Sequence, residues 1–203
     1  MKKSTVQLSN TVIKNNLERW FQEANIEEIR SGKSWYKDAQ DFCNELAGTY
    51  QIEPYISATV VSCLSPNNKW SRNKIDAENV IKAFQRGDKP IDIKVCTYNA
   101  NKERAFRALD GELISEKSPK THAFAMNVGN LSADHITIDK WHLRACFCRP
   151  SDKPQTDKYA ESCSPVQYRR IEAITAKLAK DFGFKGYEMQ AIIWLTIKRV
   201  WNR

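Results

Sequence analysis

Lys120 and Asp139 are the two residues of this sequence whose types and surroundings best suit chemistry. Lys120 directly follows Ser118-Pro119, a helix-start signal, in which a capping residue precedes a proline at the first helical position. Asp139 closes the short β-like run His135 to Ile138 and stands where the next helix begins. The two are nineteen residues apart (120 to 139), which suits one helix, a loop and a return of the chain. A helix N-terminus disfavours a lysine's charge and favours a carboxylate's. Such a lysine is suited to act as a neutral nucleophile, and such an aspartate to stay ionised. The spacing equally suits an ordinary surface lysine and an aspartate that only caps its helix.

A second polar constellation is the stretch SPNNKWSRNKIDA, residues 65–77, which follows the apolar run from Ile56 to Leu64. It places Asn67, Asn68, Lys69, Trp70, Arg72 and Asn73 at the junction of two expected helices. Amides can read or fill a gap in a nucleic acid, and cations neutralise phosphates. The alternative is a turn that is merely rich in polar residues. Tryptophans such as Trp70 and Trp141 suit stacking on a base or packing in a core. His122 and His142 suit contacts to phosphate or base, or a structural role.

The elements expected to carry these residues are helical. Residues 11–30 bring Val12, Ile13, Leu17, Trp20, Phe21 and Ile29 near helical spacing, and a second helix runs from Trp35 to Ala47 with Gly48 as its stop. Pro54 starts a third, ended by Pro66, and Ser71 is the expected N-cap of the next, with Ile75, Val80, Ile81 and Phe84 on its apolar face. Gly87 to Lys94 reads as a loop, and Asn101 to Leu109 as a short helix. Ser118-Pro119 opens a helix through Val128, and Asp139 one through Cys148. Pro150 to Pro165 reads as a loop. Two further helices carry Ile171, Ile174, Leu178 and Phe182, then Met189, Ile192, Ile193, Thr196, Ile197, Val200 and Trp201. The sum is one all-α domain over 1–203, of about eight to ten helices, with room for two lobes and a cleft between them.

Composition narrows the partners. Of 203 residues, 41% are hydrophobic and 28% charged, which suits a packed core. Lys and Arg number 32 against 24 Asp and Glu, giving +8 and favouring an anionic partner, nucleic acid first. A solvated basic surface is the alternative. The stretch MKKSTVQLSN has cations without an apolar run after them, so no signal peptide is expected. No run reaches the roughly 18 apolar residues of a membrane span. The expectation is a cytoplasmic protein with no membrane partner. The six cysteines are expected to be free thiols, Cys43 and Cys63 within the core. Cys146-x-Cys148 lacks a second pair at ligand spacing, so neither a metal nor another cofactor is expected.

The segment from Tyr98 to Phe147, YNANKERAFRAL…SPKTHAFAMNV…ITIDKWHLRACF, resembles the core of the helix-hairpin-helix DNA glycosylase superfamily. Lys120 falls where bifunctional members carry the nucleophilic lysine, at the start of the second hairpin helix. Ile136-Thr137-Ile138-Asp139 resembles the V-x-V-D run that carries the catalytic aspartate. LSPNNKWSRNK resembles the L-S-x-Q segment, with Asn67 at the position of the polar side chain that enters DNA near the displaced base. The likeness spans roughly Ile56 to Phe147. Two departures stand out: GELISEKSPK has no glycine closer to the lysine than Gly111, and the four-cysteine iron–sulfur spacing of some members is absent. The resemblance is therefore to a divergent branch of the kind found in phage genomes, which would place the protein in the host cytoplasm.

The resemblance implies action on double-stranded DNA with a base flipped out, and cleavage of the N-glycosidic bond by Lys120 and Asp139 facing one cleft; the oligomeric state stays open, with a monomer the expectation. It implies DNA contacts from Asn67, Asn68, Lys69, Trp70, Arg72, Asn73, Lys117, Ser118, His122, Lys140, Trp141 and His142. Two alternatives stay open: a base-hypermodifying enzyme of the same fold, and a DNA-binding protein without catalysis.

Overall fold

The computed structural model describes residues 8–129, 134–152 and 161–201. Among them are nine α-helices and no strand. These are α1 (Asn10–Gln22), α2 (Ile26–Tyr50), α3 (Pro54–Leu64), α4 (Trp70–Gln85), α5 (Asn99–Leu109), α6 (Pro119–Gly129), α7 (Lys140–Phe147), α8 (Pro165–Asp181) and α9 (Gly186–Trp201). The all-α expectation holds.

The chain divides into two compact units, one of residues 1–36 and 134–203 and one of residues 37–133. The division falls within α2, between Tyr36 and Lys37. The first unit packs α1, α7, α8 and α9 around Leu17, Trp20, Leu143, Leu178, Met189, Ile192, Ile193 and Ile197, all buried. Gly32 lets α2 meet α9 there: a Cβ on it would lie 2.8 Å from the backbone nitrogen of Ile192. In the second unit α3 is the central helix, buried from Ser57 to Leu64 and packed by α4, α5 and α6. Its hydroxyls are satisfied inside: Ser57 donates to Cys43 O at 2.8 Å and Thr59 to Tyr55 O at 2.8 Å. A helix apolar nearly all round has to be enclosed in this way.

Several local expectations are corrected. The helix expected over residues 11–30 is broken at residues 23–25. Asn25 Oδ1 accepts the Glu28 N–H at 2.8 Å and Glu28 Oε2 accepts the Asn25 N–H at 3.0 Å, a reciprocal cap that starts α2. Gly48 does not stop α2. The chain turns at Gln51, in the left-handed region at φ 53°, and Ile52 N–H reaches back to Ala47 O at 3.1 Å. That is the helix-ending bond glycine usually supports, made here by glutamine. The N-cap of α4 is Lys69 rather than Ser71, with Asn73 N–H bonded to Lys69 O at 2.7 Å. Ile75 is exposed, unlike buried Val80 and Ile81. α5 begins at Asn99, two residues early, and the 87–94 loop contains a 3-10 turn, Pro90–Asp92.

Pro165 belongs to α8: Ser164 caps that helix and pairs reciprocally with Gln167. Residues 153–160 of the loop expected before it lie outside the described residues, as do residues 1–7.

Candidate functional site

The run His135 to Ile138, expected to be β-like, has no regular secondary structure and joins no sheet, and Asp139 N–H turns back to Thr137 O at 3.1 Å. Its backbone is held instead by one side chain of α8. Tyr168 OH donates to Ile136 O at 2.8 Å and accepts from Ile138 N–H at 3.1 Å. Gly186 permits the close approach on the other side, since a Cβ there would sit 2.7 Å from Ile136 Cδ1. The run therefore enters α7 on a fixed path, and Asp139 becomes its N-cap. Asp139 Oδ1 accepts from Trp141 N–H and His142 N–H, both at 2.9 Å. That pattern satisfies two N–H groups of the first turn and sets a carboxylate at the positive end of the helix.

His142 turns inward and is fully buried. Its Nε2 lies 2.9 Å from Thr175 Oγ1, whose own proton goes to Ile171 O at 2.9 Å. Thr175 can then only accept, so His142 carries its hydrogen on Nε2. Burial pushes the imidazole pKa down to about 3, which keeps the ring neutral. His142 is thus a core residue that pins α7 to α8, and it does not lie on a DNA-facing surface. The other end of α7 is tied to α1: Asn16 Nδ2 donates to Cys146 O at 2.9 Å and Trp20 Nε1 to Cys148 O at 2.7 Å. Trp141 is half-buried with the Arg144 guanidinium 4.9 Å over its ring, and Lys140 is exposed.

Lys120 lies in the first turn of α6, half-buried, in the unit of residues 37–133, whereas Asp139 belongs to the other unit. The start of α6 is fastened to α3 by Ser62 Oγ, which donates to Thr121 O at 2.7 Å. Ser118 O accepts His122 N–H at 2.9 Å, and both residues are half-buried. Lys117 is exposed.

The polar stretch around residues 65–77 is built around a buried carboxylate, Asp76. Asp76 is 0% exposed and accepts from Asn68 Nδ2 at 2.9 Å, Arg72 Nε at 3.0 Å and the Cys96 N–H at 2.8 Å. Two of the expected DNA-contacting side chains, Asn68 and Arg72, are therefore engaged within the fold. Asn68 also reaches Leu64 O at 3.3 Å. Arg72 is paired with Asp76 but keeps a side chain 43% exposed. Asn73 is 1% exposed and donates to Val61 O at 3.1 Å, which takes it off the surface altogether. Trp70 is half-buried, its ring centroid 6.0 Å from that of Phe42. Asn67 and Lys69 remain exposed.

Asn67 stands in the left-handed region at φ 57° and donates through Nδ2 to Tyr98 OH at 2.7 Å. Local sequence gave no sign of Tyr98, Tyr168 or Thr175, because each acts on a segment more than thirty residues distant, whereas Arg72 and Asp76 stand at the i,i+4 spacing of a helical ion pair.

The six cysteines are free, and burial raises the thiols of Cys43 and Cys63, to about 12 and about 11. Among the described residues, no group of three or more His, Cys, Asp or Glu side chains is placed to hold a metal ion. None of the described helices is long and apolar enough to cross a membrane.

A family model matches residues 1–200, nearly the whole chain and both units. The chain belongs to DUF7178, a family of unknown function. No curated protein and no solved structure matches it. Within this DUF7178 chain each of the three segments singled out from the sequence is tied down by side-chain bonds: Asp139 through Tyr168 and His142, Lys120's helix through Ser62, and Asn68 and Arg72 through Asp76.

Proposed function

We propose that this protein acts on DNA as a glycosylase-type enzyme, with the catalytic roles of Asp139 and Lys120 taken from the resemblance of their segments to the helix-hairpin-helix glycosylases. The observation that carries the reading is the seating of Asp139. Its carboxylate is fixed at the N-terminus of α7 by two main-chain N–H groups, on a segment clamped by Tyr168 and His142. Fixed negative charge of this kind stabilises positive charge that develops in a transition state. The +8 net charge supports an anionic polymer as partner.

The chemistry follows in steps. A base inside a duplex is out of reach and is flipped out first. The bond from sugar C1′ to the base nitrogen then breaks, and the base leaves with the electron pair and takes up a proton. Asp139 faces the cationic sugar that results. Lys120 Nζ attacks C1′ and gives up a proton; the C1′–O4′ bond then breaks, O4′ keeps the electron pair and takes up a proton, and the imine left between Nζ and C1′ is later hydrolysed by water.

A second reading keeps the fold and both residues but replaces hydrolysis by transfer onto, or replacement of, a modified base. The glycine-free stretch from Glu112 to Lys120 favours it, because glycine is what lets main-chain N–H groups come close to phosphate.

DNA binding at stepped salt concentration tests the partner. Affinity should fall steeply between low and moderate salt, and Lys69→Ala should reduce the slope. Affinity indifferent to salt would remove DNA as the partner.

A further inference from the structure

Tyr98 is 62% exposed, the most exposed aromatic among the described residues. A tyrosine needed only for packing would bury its ring. This ring instead stands on an unusually well-braced base. Thr97 Oγ1 donates to Pro66 O at 2.8 Å and accepts from Asn101 Nδ2 at 2.9 Å. Cys96 N–H and Asn68 Nδ2 share Asp76 Oδ2, at 2.8 and 2.9 Å, and Lys102 Nζ holds Ile93 O at 2.7 Å. Residues 66–68 and 96–98 are thus stitched together across some thirty residues of chain.

At the top of this brace sits Asn67, the third residue of the turn Ser65–Asn68, which Asn68 N–H closes on Ser65 O at 3.1 Å; its φ of 57° is what such a turn asks for and asparagine tolerates. Its Nδ2 donates to Tyr98 OH, so the phenolic hydrogen remains as a donor and Asn67 Oδ1 as an acceptor on two exposed, neighbouring side chains. Exposed lysines stand close in sequence on both sides, Lys69 beside Asn67 and Lys94 before Tyr98.

We propose that Tyr98 and Asn67 form a platform for one unpaired nucleobase of DNA. The tyrosine ring takes the base face, the adjacent donor and acceptor meet polar atoms of the base, and the two lysines take the flanking phosphates. Stacking on a fixed aromatic is tolerant of base identity, because every base has a π face. The inference rests on the DNA reading above and adds to it a residue and a ligand class.

The test uses the full chain and a short single-stranded oligonucleotide carrying 2-aminopurine, labelled at its end. Anisotropy reports total binding and 2-aminopurine emission reports stacking. The wild-type protein should bind and quench. Tyr98→Ala and Tyr98→Leu should weaken binding by about 5- to 150-fold and abolish the quenching, while Tyr98→Phe keeps the quenching. Thermal unfolding of all three should match the wild type, since the ring is exposed. Unchanged affinity and quenching in Tyr98→Leu would overturn the platform and leave the DNA reading standing. A wild-type protein that binds no oligonucleotide, single- or double-stranded, would overturn both.

Discussion

One oxygen of Asp139 accepts the main-chain N–H of His142 at 2.9 Å, while the imidazole of His142 is buried against Thr175. The carboxylate proposed to act on DNA is therefore anchored through three residues of its own helix to the interior of its unit. Its capping role and its proposed chemical role separate experimentally. Asp139→Asn keeps an oxygen that can cap and should cost only a few tenths of a kcal/mol, whereas Asp139→Ala should cost about 1 kcal/mol. Urea unfolding of the two variants checks this. Equal losses would mean that the cap bonds carry no stability of their own.

His142 makes stability depend on pH in a defined window. Its folded pKa is about 3, below the ordinary 6.5. As pH falls through 6.5 the unfolded chain takes up a proton that the folded chain refuses, so the unfolded state gains. The stability associated with the neutral ring is fully present above pH 6.5 and declines as pH falls toward 3. The expected loss between pH 7.5 and pH 5 is about 2 kcal/mol. His142→Gln, which still offers an N–H to Thr175, should flatten the profile over that window. Equal slopes for variant and wild type would show that another group governs it.

Asp76 should matter more to the fold than any of its neighbours in the polar stretch. Asp76→Ala leaves the Cys96 N–H and the Asn68 amide without their buried acceptor. Such groups cost about 1–3 kcal/mol each when stranded. The expected loss is about 3 kcal/mol, with faster hydrogen exchange at the Cys96 amide as the brace under Tyr98 loosens. A loss below about 1 kcal/mol with unchanged exchange would mean that solvent replaces the carboxylate freely.

Much of the fold was legible because its punctuation is local. Pro54, Ser118-Pro119 and Asp139 mark helix starts by the same short-range chemistry that the structure uses. The pair Asn25 and Glu28 was equally local, but the apolar spacing running through it hid the break. The stretch 65–77 misled for a different reason. A run of amides and cations reads as surface, and although Arg72 and Asp76 stand at the i,i+4 spacing of a helical ion pair, nothing nearby reveals that Asp76 is buried and draws Asn68 toward it. His142 was invisible as a core residue in the same way, since its partner Thr175 lies 33 residues downstream. Side chains that satisfy buried partners across long separations are settled by packing, which no spacing rule reports.

The most direct measurement for the catalytic assignment is base release and borohydride trapping on DNA carrying phage-type modified bases and common damaged bases. Wild type, Lys120→Ala and Asp139→Asn are compared. The account predicts a covalent protein–DNA adduct with the wild type and none with Lys120→Ala. It predicts base release by Asp139→Asn reduced about 100-fold or more, with DNA affinity unchanged. Wild-type rates in Asp139→Asn on any accepted substrate would contradict it.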